Sequence, residues 1–137
     1  MTEALAALVD TNILSDVATD DPEWAAWSIR HLEAAALNGR LAINDVVYAE
    51  LSVRFATLEA MEGFVDGANL LVVQPPRTAL FLAGKAFQRY RRLGGAKTGV
   101  LPDFFIGAHA AVLGVPLLTR DSRRYRSYFP SLRLVAP

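Results

Sequence analysis

Two hydrophobic rhythms alternate along the chain. Short apolar runs occur at residues 5–9, 41–43, 70–73, 115–118 and 132–135. Between them lie longer stretches in which apolar residues recur every three or four positions. The short runs predict strands and the longer stretches predict helices. The first run, Leu5-Ala6-Ala7-Leu8-Val9, carries no charge or alternating polar face, as suits a strand buried on both faces of a parallel sheet. It runs directly into Asp10-Thr11-Asn12.

Punctuation supports the helices. Asp21-Pro22-Glu23 predicts a helix start, with an Asp cap and Pro at the first helical position, and the helix runs over 22–37. Trp24, Trp27, Leu32 and Ala35 form its stripe, both tryptophans reading as packing residues, and Asn38-Gly39 closes it. Asn44 or Asp45 caps a helix over 46–55, and another spans 57–66 with Gly67 at its end. Helices over 78–93 and 102–113 follow, the second opened by Pro102 and ended by Gly114, and residues 122–128 form one or two helical turns. Residues 11–18 read as a short turn or loose helix. Strands alternating with helices predict a three-layer α/β/α domain around a parallel sheet of about five strands, one domain over 1–137.

Composition narrows the chemistry. Cysteine is absent, which excludes a disulfide framework and thiolate zinc sites and fits a reducing compartment. Glu3 and Asp10 break the pattern of a secretory leader, and no uncharged apolar stretch is long enough to span a bilayer. A cytoplasmic protein is therefore expected. The zero net charge hides an asymmetry: residues 1–66 hold twelve of the fourteen acids and three basic residues, whereas 67–137 hold eleven basic residues and two acids, Asp103 and Asp121. The basic half can offer a positive surface to a polyanion or consist of ordinary solvated helix faces.

Four acids stand out by position. Asp10 follows the first strand, and Asp121 follows the fourth in Leu117-Leu118-Thr119-Arg120-Asp121. Two parallel strands share a carboxyl edge, where ligands of open α/β sheets bind, so these acids can meet if their strands are neighbours. Asp103 lies in the first turn of its helix, where the dipole favours its ionised form. Glu50 falls on a largely apolar helix face, and a buried Glu needs a partner. Gly107, Ala110 and Gly114 follow Asp103 at helical spacing and predict a face that approaches another backbone closely. Each acid also has a local reading, as a cap, dipole residue or solvated flank.

Several carboxylates brought together repel one another, and a hard divalent cation with oxygen ligands relieves the repulsion. Magnesium, with manganese as substitute, fits the donor set Asp10, Glu50, Asp103 and Asp121. Such an ion suits phosphoryl chemistry because it orients a water and lowers its pKa. Thr11, Asn12 and Thr119 are the accessory polar residues of this reading. Arg89, Arg92, Lys97, Arg120 and Arg123 are candidate contacts to RNA or to a protein partner. Tyr90, Tyr125 and Tyr128 read first as packing residues and second as platforms for bases. His31 and His109 carry no ligand motif; the first reads as a surface residue and the second as lying near the core boundary. Gly94-Gly95-Ala96-Lys97-Thr98-Gly99 lacks the full phosphate-loop pattern and the strand that should precede it.

These motifs together resemble the ordered acids of PIN-domain ribonucleases, and more narrowly the VapC-like toxins of toxin–antitoxin pairs. The resemblance rests on Leu8-Val9-Asp10-Thr11-Asn12, Tyr48-Ala49-Glu50, the stretch from Leu101 to Ala110 around Asp103, and the ending from Thr119 to Pro130. It implies magnesium- or manganese-dependent RNA hydrolysis with Asp10, Glu50, Asp103 and Asp121 as catalytic and metal residues and Thr119 beside them. It also implies a homodimer and a small antitoxin whose tail covers the site, which makes the antitoxin the protein partner that the five basic residues can meet. Two alternatives stay open: an inert RNA-binding or scaffold module of the same fold, and a phosphatase-like hydrolase with Asp10 as nucleophile. The latter chemistry commonly wants a second acid where Asn12 stands.

Overall fold

A computed structural model describes residues 4–97 and 99–137. Glu3 and Thr98, used above in the leader and loop arguments, lie outside them. Strand β1 (Leu5–Val9) leads into helices α1 (Thr11–Ala18) and α2 (Ala25–Ala36), then β2 (Arg40–Asn44), α3 (Asp45–Ser52) and α4 (Leu58–Gly67). Next come β3 (Leu71–Val73), α5 (Arg77–Arg92), α6 (Leu101–Leu113), β4 (Leu117–Leu118), α7 (Arg123–Tyr128) and β5 (Leu134–Val135). The five strands form one parallel sheet in the order β3-β2-β1-β4-β5, the expected three-layer α/β/α architecture.

The central position of β1 explains its uncharged sequence. Ala7, Leu8 and Val9 are buried, as are Leu41, Ala42 and Ile43 of β2 and both residues of β4. Leu8 pairs with Leu117 and Val9 with Leu118, and the register continues as Asp10 N–H donates to the Leu118 carbonyl at 2.9 Å. Strand β4 is shorter than the run 115–118. Pro116 has no N–H to give, although its carbonyl accepts from Leu8 N–H at 2.9 Å.

Several boundaries differ from expectation for local reasons. Residues 11–18 form a regular helix, because Asp10 adopts extended geometry and its Oδ1 accepts from Thr11 N–H at 2.7 Å. Helix α2 starts at Ala25, three positions later than Pro22 suggested. Asp21 Oδ1 accepts from both Glu23 and Trp24 N–H, which holds residues 22–24 in a turn before the helix. Helix α3 ends at Ser52, short of the predicted Phe55. Gly67 stays inside α4, and Asn69, at φ 53°, makes the left-handed turn instead. Gly114 caps α6 at φ 71°, as its position predicted.

Candidate active site

The carboxyl edge of the sheet brings together residues more than a hundred positions apart. Because β1 and β4 are neighbours, Asp10 and Thr119 emerge side by side. Thr119 Oγ1 donates to Asp10 Oδ2 at 2.8 Å. The Tyr125 hydroxyl, from α7, donates to the same oxygen at 2.9 Å. Asn12 Nδ2 lies 3.4 Å from both Asp10 Oδ2 and Thr119 Oγ1, while its Oδ1 accepts from Arg120 N–H at 3.1 Å. Asp10 is thus the hub of the edge, 5% exposed and bonded at both oxygens. Burial raises its pKa most, the bonds from Thr119, Tyr125 and Thr11 pull the other way, and Glu50 adds to the rise.

Glu50 is half-buried on α3 and accepts from Thr11 Oγ1 at 2.7 Å, so the charged residue on an apolar face has found its partner in a neighbouring helix. Asp103 lies in the first turn of α6. Its pKa is pushed up to about 6, by burial first and then by Asp10, against the pull of Arg124 and with a further push from Asp121. This corrects the expectation that the helix dipole would keep Asp103 readily ionised: the neighbouring acids and desolvation outweigh it. Asp121 is exposed, and its backbone is fixed by Thr119 Oγ1, which accepts from Asp121 N–H at 3.0 Å.

The four acids are close enough to feel one another, but they are not drawn into a closed cage. Among the described residues, no three Asp, Glu, His or Cys side chains converge enough to hold a metal ion, contrary to the tight cluster expected above. Arg124 forms an ion pair with Asp103, and Thr119 and Tyr125 hold Asp10 Oδ2.

The candidate basic contacts divide. Arg120 is not free to meet a ligand: its Nε and NH2 bind Asp16 Oδ2 and Oδ1 at 2.7 and 2.9 Å, and its guanidinium lies 5.0 Å from the Trp24 ring centre. Arg89 lies over the Tyr128 ring and donates to the Ser127 carbonyl at 3.2 Å. Arg92, Lys97 and Arg123 are exposed. Beside the acids, Tyr90, Asp121, Arg123, Arg124, Ser127 and Tyr128 line an open cavity of about 420 Å³.

Asp16, Arg124 and Tyr125 were missed as site residues. Asp16 is buried and also accepts from Ser28 Oγ at 2.8 Å, but its place within α1, the helix that Asp10 caps, carries no sequence signal. Arg124 sits in a basic run where nothing marks it from its neighbours. Tyr125 is fully buried, as its packing reading required, yet its hydroxyl reaches Asp10. Gly107 was the available clue. Where a close approach to another backbone was expected, the nearest atoms are aromatic side chains: a Cβ there would lie 2.6 Å from Phe129 and 2.9 Å from Tyr125, so the glycine makes room for their rings. His109 is buried rather than at the boundary, its Nδ1 3.2 Å from Asn44 Nδ2, and His31 stacks on Trp27.

Fold and site together define an α/β domain with an acidic centre at the carboxyl edge of a parallel sheet. The sequence profile of the PIN domain matches residues 7–129, and the chain belongs to the PIN-domain family. A chain of VapBC2 from Rickettsia felis, solved bound to a DNA fragment from its promoter, superposes with a TM-score of 0.74 at 21% identity, covering 98% of this chain and 99% of that one. A chain of a toxin–antitoxin complex from Klebsiella pneumoniae gives a TM-score of 0.67 at 25% identity, with 94% and 95% covered. A chain of VapBC-1 from nontypeable Haemophilus influenzae gives 0.68 at 20% identity, with 97% and 98% covered. No curated protein sequence is a significant match. No described helix is long and apolar enough to cross a membrane.

Proposed function

We propose that this chain is a magnesium- or manganese-dependent endoribonuclease and the toxin of a toxin–antitoxin pair, acting in the cytoplasm. The observation that carries the reading is the geometry of the sheet edge: Thr119 after β4 and Tyr125 on α7 donate to Asp10 after β1 at 2.8 and 2.9 Å, Thr119 also fixes Asp121, and Arg124 pairs with Asp103 on α6. The rise of Asp103 to about 6, by burial first and then by Asp10, accords with it. Membership of the PIN-domain family and the likeness to chains of toxin–antitoxin structures support the same reading.

The residues fit a hard divalent cation by their chemistry. The donors are all carboxylate oxygens, and a positive group, the Arg124 guanidinium, already sits against Asp103. Asp10, Glu50, Asp103 and Asp121 would hold the ion. When bound, such an ion supplies a water of lowered pKa and offsets charge on the phosphate. The protein's own part is positional. Thr119 and Tyr125 orient Asp10, and Thr11 orients Glu50. Arg92, Lys97 and Arg123 offer exposed charge to the RNA backbone, and the cavity beside Asp121 gives the strand a place to lie. A phosphatase-like role for Asp10 fits less well, because a buried carboxylate bonded at both oxygens is a poor nucleophile.

An antitoxin would cover this edge, and a second copy of the chain would complete a homodimer; both follow from the family likeness. The test is cleavage of transfer, messenger and ribosomal RNA by the parent and by Asp103→Asn in magnesium or manganese. Cleavage by the parent alone is expected. A folded parent that binds neither ion and cuts none of these RNAs would overturn the reading.

A further inference from the structure

We infer that Tyr125 is a positioning residue of the acidic centre: its hydroxyl, set in place through Gly107, holds Asp10 Oδ2 in one orientation and so tunes the affinity of the centre for a divalent cation. The inference rests on the proposed metal-dependent activity and adds a residue to it.

The geometry begins in α6. Gly107 lies one turn after Asp103 and faces α7 without a side chain. The rings of Tyr125 and Phe129 fill that space so closely that a methyl group would collide with both. Tyr125 is therefore pressed towards the sheet edge, with 1% of its surface exposed. Its hydroxyl ends 2.9 Å from Asp10 Oδ2, where Thr119 Oγ1 also donates at 2.8 Å. Two fixed donors on Oδ2 leave the carboxylate little rotational freedom. Asp10 Oδ1 is held by Thr11 N–H, so the whole group is set before any cation arrives. Partners that orient a ligating carboxylate in this way tune affinity without touching the ion. A packing residue would need only the ring; the inference concerns the hydroxyl.

Tyr125→Phe separates the two roles, because it keeps the ring and removes one oxygen. Calorimetry at neutral pH should show manganese binding to the parent and roughly tenfold weaker binding to the variant. With a cleaved RNA in hand, kcat should fall by a similar factor while KM stays within about twofold. Equal manganese affinity in the folded variant would overturn the inference and leave the nuclease reading standing. No manganese binding by the parent would overturn both. Should Tyr125→Phe not fold, the parent labelled with 3-fluorotyrosine supplies the answer. The fluorine resonance protected from a soluble paramagnetic agent belongs to buried Tyr125, and it should move on magnesium saturation. An unmoved protected resonance, with magnesium bound, would overturn the inference.

Discussion

Arg120 reaches back across the chain to Asp16, and the two form a bidentate pair at 2.7 and 2.9 Å beside the acidic centre. The pair ties α1, which Asp10 caps, to the segment that carries Thr119 and Asp121. Asp16 is 3% exposed at its side chain and Arg120 28%, so the pair is largely shielded from solvent. Arg120→Ala would strand a buried carboxylate that Ser28 alone could still satisfy. The expected loss is about 2–4 kcal/mol, at the low end of what breaking a buried pair costs because Arg120 is partly hydrated. Thermal melting should register it as a drop of roughly 6–12 °C. Arg123→Ala, at an exposed position three residues on, should shift stability by less than about 0.5 kcal/mol. Equal melting of the two variants would show that the pair contributes nothing.

Arg124 occupies the charge environment that a cation would share. Its guanidinium lowers the pKa of Asp103 while burial, Asp10 and Asp121 raise it. Arg124→Gln removes the competitor and leaves the acids with less relief from their repulsion. The metal-free variant should melt lower than the parent, and manganese should raise its melting temperature by more. Calorimetry should give a manganese affinity about three- to tenfold higher than the parent's. Weaker binding in the variant would mean that Arg124 helps to assemble the site instead of guarding it.

Asp103 also makes a signed prediction about pH. Its folded-state pKa of about 6 lies above the ordinary 3.8, so the folded protein holds the proton more tightly than the unfolded chain. That contribution to stability is fully present below about pH 3.8 and is lost as pH rises through about 6. Asp103 is 29% exposed at its side chain, so the effect is discounted to about 1–2 kcal/mol. Buried Asp10 acts in the same direction, whereas His109, whose pKa is lowered by burial, destabilises the fold on the acid side. The difference between parent and Asp103→Asn isolates the one group. Without metal, the variant should be more stable than the parent near pH 7, and the advantage should shrink towards pH 4. A difference that does not vary with pH, measured by denaturant melts, would remove this account of Asp103.

The parts of the site that follow backbone direction could be read in advance. Asp10 and Asp121 were expected at one edge because two uncharged runs read as parallel strands, and parallel strands share an edge; Thr119, two residues before Asp121, is the side chain that meets Asp10 there. Thr11 and Asn12 followed from the same frame, and Glu50 from its place as a charged residue on an apolar helix face. Side-chain commitments across elements could not be read this way. Arg120 looked like one more surface cation because nothing in its neighbourhood announces Asp16, 104 positions earlier. Arg124 and Arg123 are adjacent and identical, yet one meets Asp103 and the other is exposed. Tyr125 hid its role because burial and hydrogen bonding are both satisfied at once, and periodicity reports only burial. Helix starts failed where a side chain intervened, as Asp21 does before α2.

Glycine provides the last contrast, since two helical glycines make opposite predictions. Gly84 lies on the exposed face of α5, with nothing within 4 Å of a Cβ built there. Gly84→Ala should stabilise the protein by about 0.5–1 kcal/mol, because alanine restricts the unfolded chain and favours the helix. Gly107→Ala gains the same propensity, but its methyl group would meet Phe129 at 2.6 Å and Tyr125 at 2.9 Å. Both rings are buried, so a retreat disturbs the close packing around them. Overpacking of this kind costs about 1–3 kcal/mol, which exceeds the helix term, so Gly107→Ala should melt below the parent. If α7 yields instead, stability is spared, but the Tyr125 hydroxyl moves away from Asp10 and manganese affinity falls. A Gly107→Ala protein that matches the parent in both melting temperature and manganese affinity would show that the contact between α6 and α7 is looser than the rings indicate.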